Sequence, residues 1–138
     1  MTDEKLLSEI QKSGILDETA VTKLKKESLL SGRPVEEVIY NRHLIDDFKL
    51  AELKSQALNV PFQKFNAEEL SEEILKLIPE ETVRTYAVTP LAKENDVFVV
   101  GMVNPDDQKA QDALKFIARR NHLNLGIYLI SYGDWQGV

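Results

Sequence analysis

Residues 10–24, IQKSGILDETAVTKL, and residues 39–53, IYNRHLIDDFKLAEL, are two copies of one pattern offset by 29 positions. Ile10 falls on Ile39, Ile15 on Leu44, Leu16 on Ile45, Asp17 on Asp46, Val21 on Leu50 and Leu24 on Leu53. Such self-similarity marks one supersecondary unit used twice, because each copy alone is too small to bury its apolar face. Within a copy the apolar positions recur at three and four, the spacing of an amphipathic helix. Leu6, Leu7 and Ile10 form one stripe, and Val21, Leu24 and Leu29 the next. Asp17 and Asp46 each stand where a side-chain oxygen can accept from the free N–H groups of a new helix. Each copy therefore reads as a short helix, a turn ending in an apolar pair, an Asp cap and a longer helix, giving a helical tandem-repeat subdomain over residues 1–60.

Beyond Val60-Pro61 the pattern changes. Asn66-Ala67-Glu68-Glu69 resembles a capping box and predicts a helix to about Ile78, followed by one further turn behind Pro79. Tyr86 to Ala92 and Val97 to Val103 then read as two strands joined by the polar stretch Lys93-Glu94-Asn95-Asp96. The second run is apolar on both faces and should be central, whereas Pro90 sends its neighbour to an edge or a bulge. Asn104-Pro105-Asp106-Asp107 predicts a helix start with Asn104 as cap, and Arg119-Arg120-Asn121-His122 its cationic end. Leu123, Leu125, Ile127 and Leu129 alternate with Asn124, Gly126 and Tyr128, as in a last, half-buried strand. The expected fold is α+β: a helical repeat bundle, then a strand-strand-helix-strand α/β sandwich unit over residues 61–138. The final stretch from Tyr132 to Val138 carries no evident stop signal and suggests a cut at a domain boundary.

The chain has 138 residues, of which 17 are Lys or Arg and 23 Asp or Glu, a formal net charge of −6. That sign disfavours a surface that grips nucleic acid as a whole. No cysteine is present, so disulfides, thiolate metal sites and thiol nucleophiles are excluded. The first twenty residues mix acids with apolar positions rather than forming a signal peptide, and a cytoplasmic location is expected.

Catalytic signatures are missing as well. The six glycines are scattered singly, without the GxxxxGK[ST] loop that cradles nucleotide phosphates. His43 and His122 fit no metal-ligand spacing, and the serines lack a nucleophile elbow. The acidic pairs, Glu36-Glu37 among them, fall in first helical turns, where they complement the helix dipole. The chain is expected to be no enzyme and to hold no metal or cofactor. The basic cluster Lys23, Lys25 and Lys26 complements a helix end and offers a candidate partner surface, as does the edge strand around Tyr86 and Val88.

Three stretches together resemble a known family: Gln56 to Phe62 (QALNVPF), Leu77 to Leu91 (LIPEETVRTYAVTPL) and Val99 to Asp107 (VVGMVNPDD). In order and spacing they are similar to the N-terminal domain of type II secretion and type IV pilus assembly ATPases. The resemblance implies a regulatory or docking domain that precedes a motor and engages protein components of an inner-membrane platform. It also implies that this chain is the detached front part of a longer polypeptide. Some members bind cyclic di-GMP through the same repeat, each copy opening with Arg-Leu-Gly and carrying a second glycine before the apolar pair. Here Lys5-Leu6-Leu7 stands in the first place, so of these positions only Leu6 and Gly14 match. The second copy has Pro34-Val35-Glu36 and His43 there, and none matches. A cyclic di-GMP receptor is thus the alternative function, and a small independent enzyme with an unrecognised site the alternative of another class.

Overall fold

The computed structural model describes residues 1–138. Four helices occupy the first half: α1 (Asp3–Ser13), α2 (Glu18–Ser31), α3 (Val35–Arg42) and α4 (Asp47–Leu58). The repeat shows in the caps. Asp17 Oδ1 accepts from Ala20 N at 2.8 Å to open α2, and Asp46 Oδ2 accepts from Lys49 N at 3.2 Å to open α4. Gly14 ends α1 at φ 76°, and its counterpart His43 ends α3 at φ 54°. Glycine enters this left-handed region freely, whereas a residue with a Cβ does so at a cost of about 1–2 kcal/mol. Leu6, Ile10, Leu24, Val35, Ile39 and Leu50 belong to one apolar cluster formed by the four helices.

The stripe of α2 is shorter than its spacing predicts. Leu29 is 75% exposed, and the inward position at that turn is taken by Ser28, whose hydroxyl donates to Arg33 O at 2.6 Å. The chain must turn at Gly32, and a hydroxyl can satisfy a turn carbonyl where leucine cannot.

The second half contains α5 (Glu72–Leu75), α6 (Glu80–Tyr86), β1 (Val88–Glu94), β2 (Val97–Met102), α7 (Gln108–Arg120), β3 (Asn124–Leu129) and α8 (Tyr132–Gln136). The sheet order is β1-β2-β3; β1 and β2 form an antiparallel hairpin, and β2 and β3 run parallel through α7. This is the α+β architecture expected, with β2 central and a register shift between Pro90 and Ala92 on the edge strand. Phe98, Val100 and Met102 are wholly buried and join Ala110, Leu114 and Ala118 of α7 in a second apolar cluster. The free edge of β3 is met at its end by the chain entering from α4, where Leu129 N donates to Pro61 O at 2.8 Å and Gln63 N to Leu129 O at 2.9 Å.

Several local expectations are corrected. The helix expected from Asn66 to Ile78 is two separate turns, because Leu70 is extended and Ser71 caps a new start by accepting from Ile74 N. Tyr86 belongs to α6 rather than to the strand: Ala87 adopts φ 51° and closes the helix, so β1 begins at Val88. The helix after Asn104 starts later, since Asp107 accepts from Lys109 N and Ala110 N and is the cap. The final stretch forms α8, opened by Ser131 accepting from Asp134 N at 3.1 Å.

Candidate docking site and the buried junction

Lys23, Lys25 and Lys26 are all exposed on α2, and none enters an ion pair. Beyond them Leu29 and Leu30 stand 75% and 79% exposed at the end of the same helix. Lys23, Lys26 and Leu30 border one shallow depression, and the adjacent Glu27 is held by Arg42 at 2.6 Å. The outward side of α2 thus sets unpaired ammonium groups beside two apolar side chains that nothing covers. Single exposed leucines are ordinary, but adjacent ones rimmed by charge have the make-up of a contact patch. Leu30 was the legible but unread signal, an apolar residue off the core stripe.

The other candidates fall apart in space. Val88 is wholly buried and presents no side chain at the surface, and Tyr86 is half-buried against the second cluster. Both α5 and α6 pack beside β1. The cause is the left-handed stop at Ala87, which turns the segment inward before the strand begins. Leu6 is 2% exposed in the first cluster, and the backbone N–H of Gly14 is already engaged with Gln11 O at 3.2 Å. They lie toward opposite ends of α1 and do not form a common surface.

The polar site that the sequence reading missed lies inside. Lys54 is 1% exposed, and its Nζ donates to both carboxylate oxygens of Glu36 at 2.7 and 3.0 Å. It also donates to Val103 O and, at 3.1 Å, to Asn104 Oδ1, both in the β2–α7 loop. Glu36 therefore is no solvated first-turn acid; it is buried and ion-paired. Its repeat counterpart is Leu7, so a carboxylate at an apolar position of the pattern was the signal for this pair.

Around this pair α8 rests on α3 and α4. The Tyr132 ring lies 5.1 Å from that of Tyr40, and the Asp47 carboxylate accepts from Gly133 N at 3.1 Å. Asp134 accepts from Phe65 N, and burial, together with nearby Asp47, pushes its carboxyl above the ordinary value. Burial likewise raises the Tyr132 phenol, with Glu37 and Glu36 adding to the effect. No three His, Asp or Glu side chains converge in a way that could hold a metal ion.

The MshEN domain family matches residues 58–137, more than half of the chain. The chain belongs to the MshEN domain family. Over 99 residues, 72% of this chain, it is 25% identical to the type IV pilus assembly ATPase PilB of Myxococcus xanthus strain DK1622. It spans 18% of that protein's length. Among solved structures, MshE with cdg superimposes with a TM-score of 0.68 at 17% identity, covering 95% of this chain and 93% of that one. The N-terminal domain of XpsE does so with 0.67 at 16% identity, covering 99% and 92%. This MshEN domain thus shares the fold of the MshE and XpsE structures and is similar in sequence to part of a pilus assembly ATPase, in line with the resemblance of its three motifs.

Proposed function

We propose that this MshEN domain is a non-catalytic regulatory and docking module of a type II secretion or type IV pilus assembly ATPase, acting in the cytoplasm at the inner-membrane platform. The observation that carries the reading is the outward side of α2, where Lys23, Lys26, Leu29 and Leu30 are exposed together without partners. Every buried side-chain N and O has a hydrogen-bond partner inside the chain. What remains available is surface. The relative named as a pilus assembly ATPase supplies the context in which such a surface would work. Charge reversal at Lys23, Lys25 and Lys26 together should reduce recruitment of the attached ATPase to its platform at least about tenfold while leaving the fold intact. Unchanged recruitment would sink the assignment of this face.

The likeness to MshE with cdg favours a second reading, a cyclic di-GMP receptor. Against it stand the residues themselves. Glu36 occupies a place where the family's ligand-binding members carry glycine, and its buried carboxylate is closed by Lys54. Lys5 offers charge without the planar fork of arginine. Calorimetric titration with cyclic di-GMP, with GMP as control, separates the readings: heat with micromolar affinity supports the receptor, and silence across several buffers supports the docking module.

A further inference from the structure

Superimposing the repeat on itself exposes an asymmetry. In the second copy the face formed by α3 and α4 is filled from within the chain. Tyr40 meets Tyr132, Asp47 takes the N–H of Gly133, and Lys54 takes the Val103 carbonyl and the Asn104 amide oxygen of the β2–α7 loop. Shifted back by 29 positions, these residues are Gln11, Glu18 and Lys25 in the first copy, and Leu50 becomes Val21. There α1 and α2 border an open groove of about 410 Å³ whose lining includes Leu7, Gln11, Val21 and Lys25. Gln11 and Lys25 are exposed, and α2 packs on α1 of its own copy and on α3 of the other.

The two faces differ in one chemical respect. Lys54 is neutralised by Glu36, whereas the residue at the Glu36 position of the first copy is Leu7, and Lys25 forms no ion pair, although Glu4 and Lys12 line the same groove. With Lys12 and Lys25 against Glu4 the groove keeps an excess of positive charge, and a segment that covers Lys25 as the loop covers Lys54 is favoured when it brings a carboxylate, because an unpaired ammonium is costly to bury. We propose that the α1–α2 groove docks an acidic helix-start segment of a partner protein, a stretch of the same chemistry as the β2–α7 loop, with a carboxylate to Lys25 and the start of a helix beside Glu18. The inference deepens the docking reading by giving it a second, deeper contact on the same repeat, and it stands on the internal comparison rather than on the exposed leucines.

The probe is the loop's own sequence supplied in trans: a blocked peptide of residues 103–112, VNPDDQKAQD, titrated to millimolar concentration into the ¹⁵N-labelled chain. The amide signals of Leu7, Gln11, Val21 and Lys25 should shift together. A peptide with Asp106 and Asp107 changed to asparagine should bind about tenfold more weakly, as loss of a charge-assisted contact implies. Lys25→Glu and Gln11→Glu, both at exposed positions, should each abolish the shifts while leaving signal dispersion unchanged. Absence of any shift, shifts centred away from the groove, or shifts that survive Lys25→Glu would overturn the proposal. Peptide binding that persists while recruitment to the platform ignores the α2 charges would overturn the docking reading alone.

Discussion

Lys54 shows how one residue can join parts of the chain that are distant in sequence. Its ammonium is compensated by Glu36 of the same repeat, and its remaining protons go to a loop roughly fifty positions away along the chain. Removing one member of a buried pair leaves the other charge stranded, which costs about 3–5 kcal/mol, whereas replacing both by apolar groups is often neutral. Lys54→Met should therefore lower unfolding free energy by about 3 kcal/mol, and the double change with Glu36→Leu, restoring what Leu7 is in the other copy, should recover most of it. Urea unfolding of the single and double variants measures this; a single variant within about 1 kcal/mol of the parent would show the pair to be incidental. Asp134 makes the opposite kind of contribution. Its folded carboxyl titrates above the unfolded value of 3.8, so the native state holds the proton more tightly. Its stabilisation is fully present below that value and is lost as pH rises through the folded one. Asp134→Asn, whose amide oxygen can still accept from Phe65 N, should steepen the fall in melting temperature on the acid side, where the contribution of Asp134 is gained, and raise the melting temperature at neutral pH, where the desolvated charge is removed.

At the scale of elements, caps govern the outcome. His43 sits at φ 54° where the sister copy has Gly14, and the αL strain it carries is removable. His43→Gly should stabilise the chain by about 0.5–1 kcal/mol, the strain relieved being partly offset by a more flexible unfolded state; a loss of stability in thermal unfolding would mean that the packing of its ring on Tyr40, 6.5 Å away, outweighs the strain. The same caps explain what could be read in advance. Asp17 and Asp46 announced α2 and α4 correctly, each accepting from the N–H three positions on, that of Ala20 and that of Lys49. Asn66 and Ser71, by contrast, both cap, five positions apart, and the chain uses both, so the apolar spacing from Leu70 to Ile78 did not make one helix. Asn104 and Asp107 compete in the same way; Asn104 is drawn off by Lys54, leaving Asp107 to open α7. The docking candidates on α2 were legible from charge alone, but the Glu36–Lys54 pair was not, since burial of an i, i+18 couple depends on how the second half seats.

For the whole molecule the question is whether two apolar clusters behave as one cooperative body. The contacts that link them include the hydrogen bonds of Lys54, of Asp47 with Gly133 and of the Met1 amine with Asn104 and Asp106, beside the ring contact of Tyr40 with Tyr132 and the packing of α4 on β3. Polar contacts shielded from water are costly to break singly, so they couple the halves more strongly than their number suggests. Trp135, the one tryptophan, belongs to the second cluster and donates to Val83 O at 3.1 Å, while the first cluster is helical except for Ile45 in the α3–α4 turn. Tryptophan fluorescence and far-ultraviolet circular dichroism therefore weight the two halves differently. In urea the two probes should trace coincident transitions in the parent chain. Gly133→Ala would bring a Cβ within 2.5 Å of Asp47 Oδ2 and 2.9 Å of Tyr40 Cε1, prising α8 from the repeat without touching either core. In that variant the two curves should separate, the helical signal being lost first because the four-helix repeat is the smaller cluster. If instead the parent curves already diverge, the junction does not couple the halves, and a signal received on α2 would have to reach the remainder of the protein by a route other than Lys54.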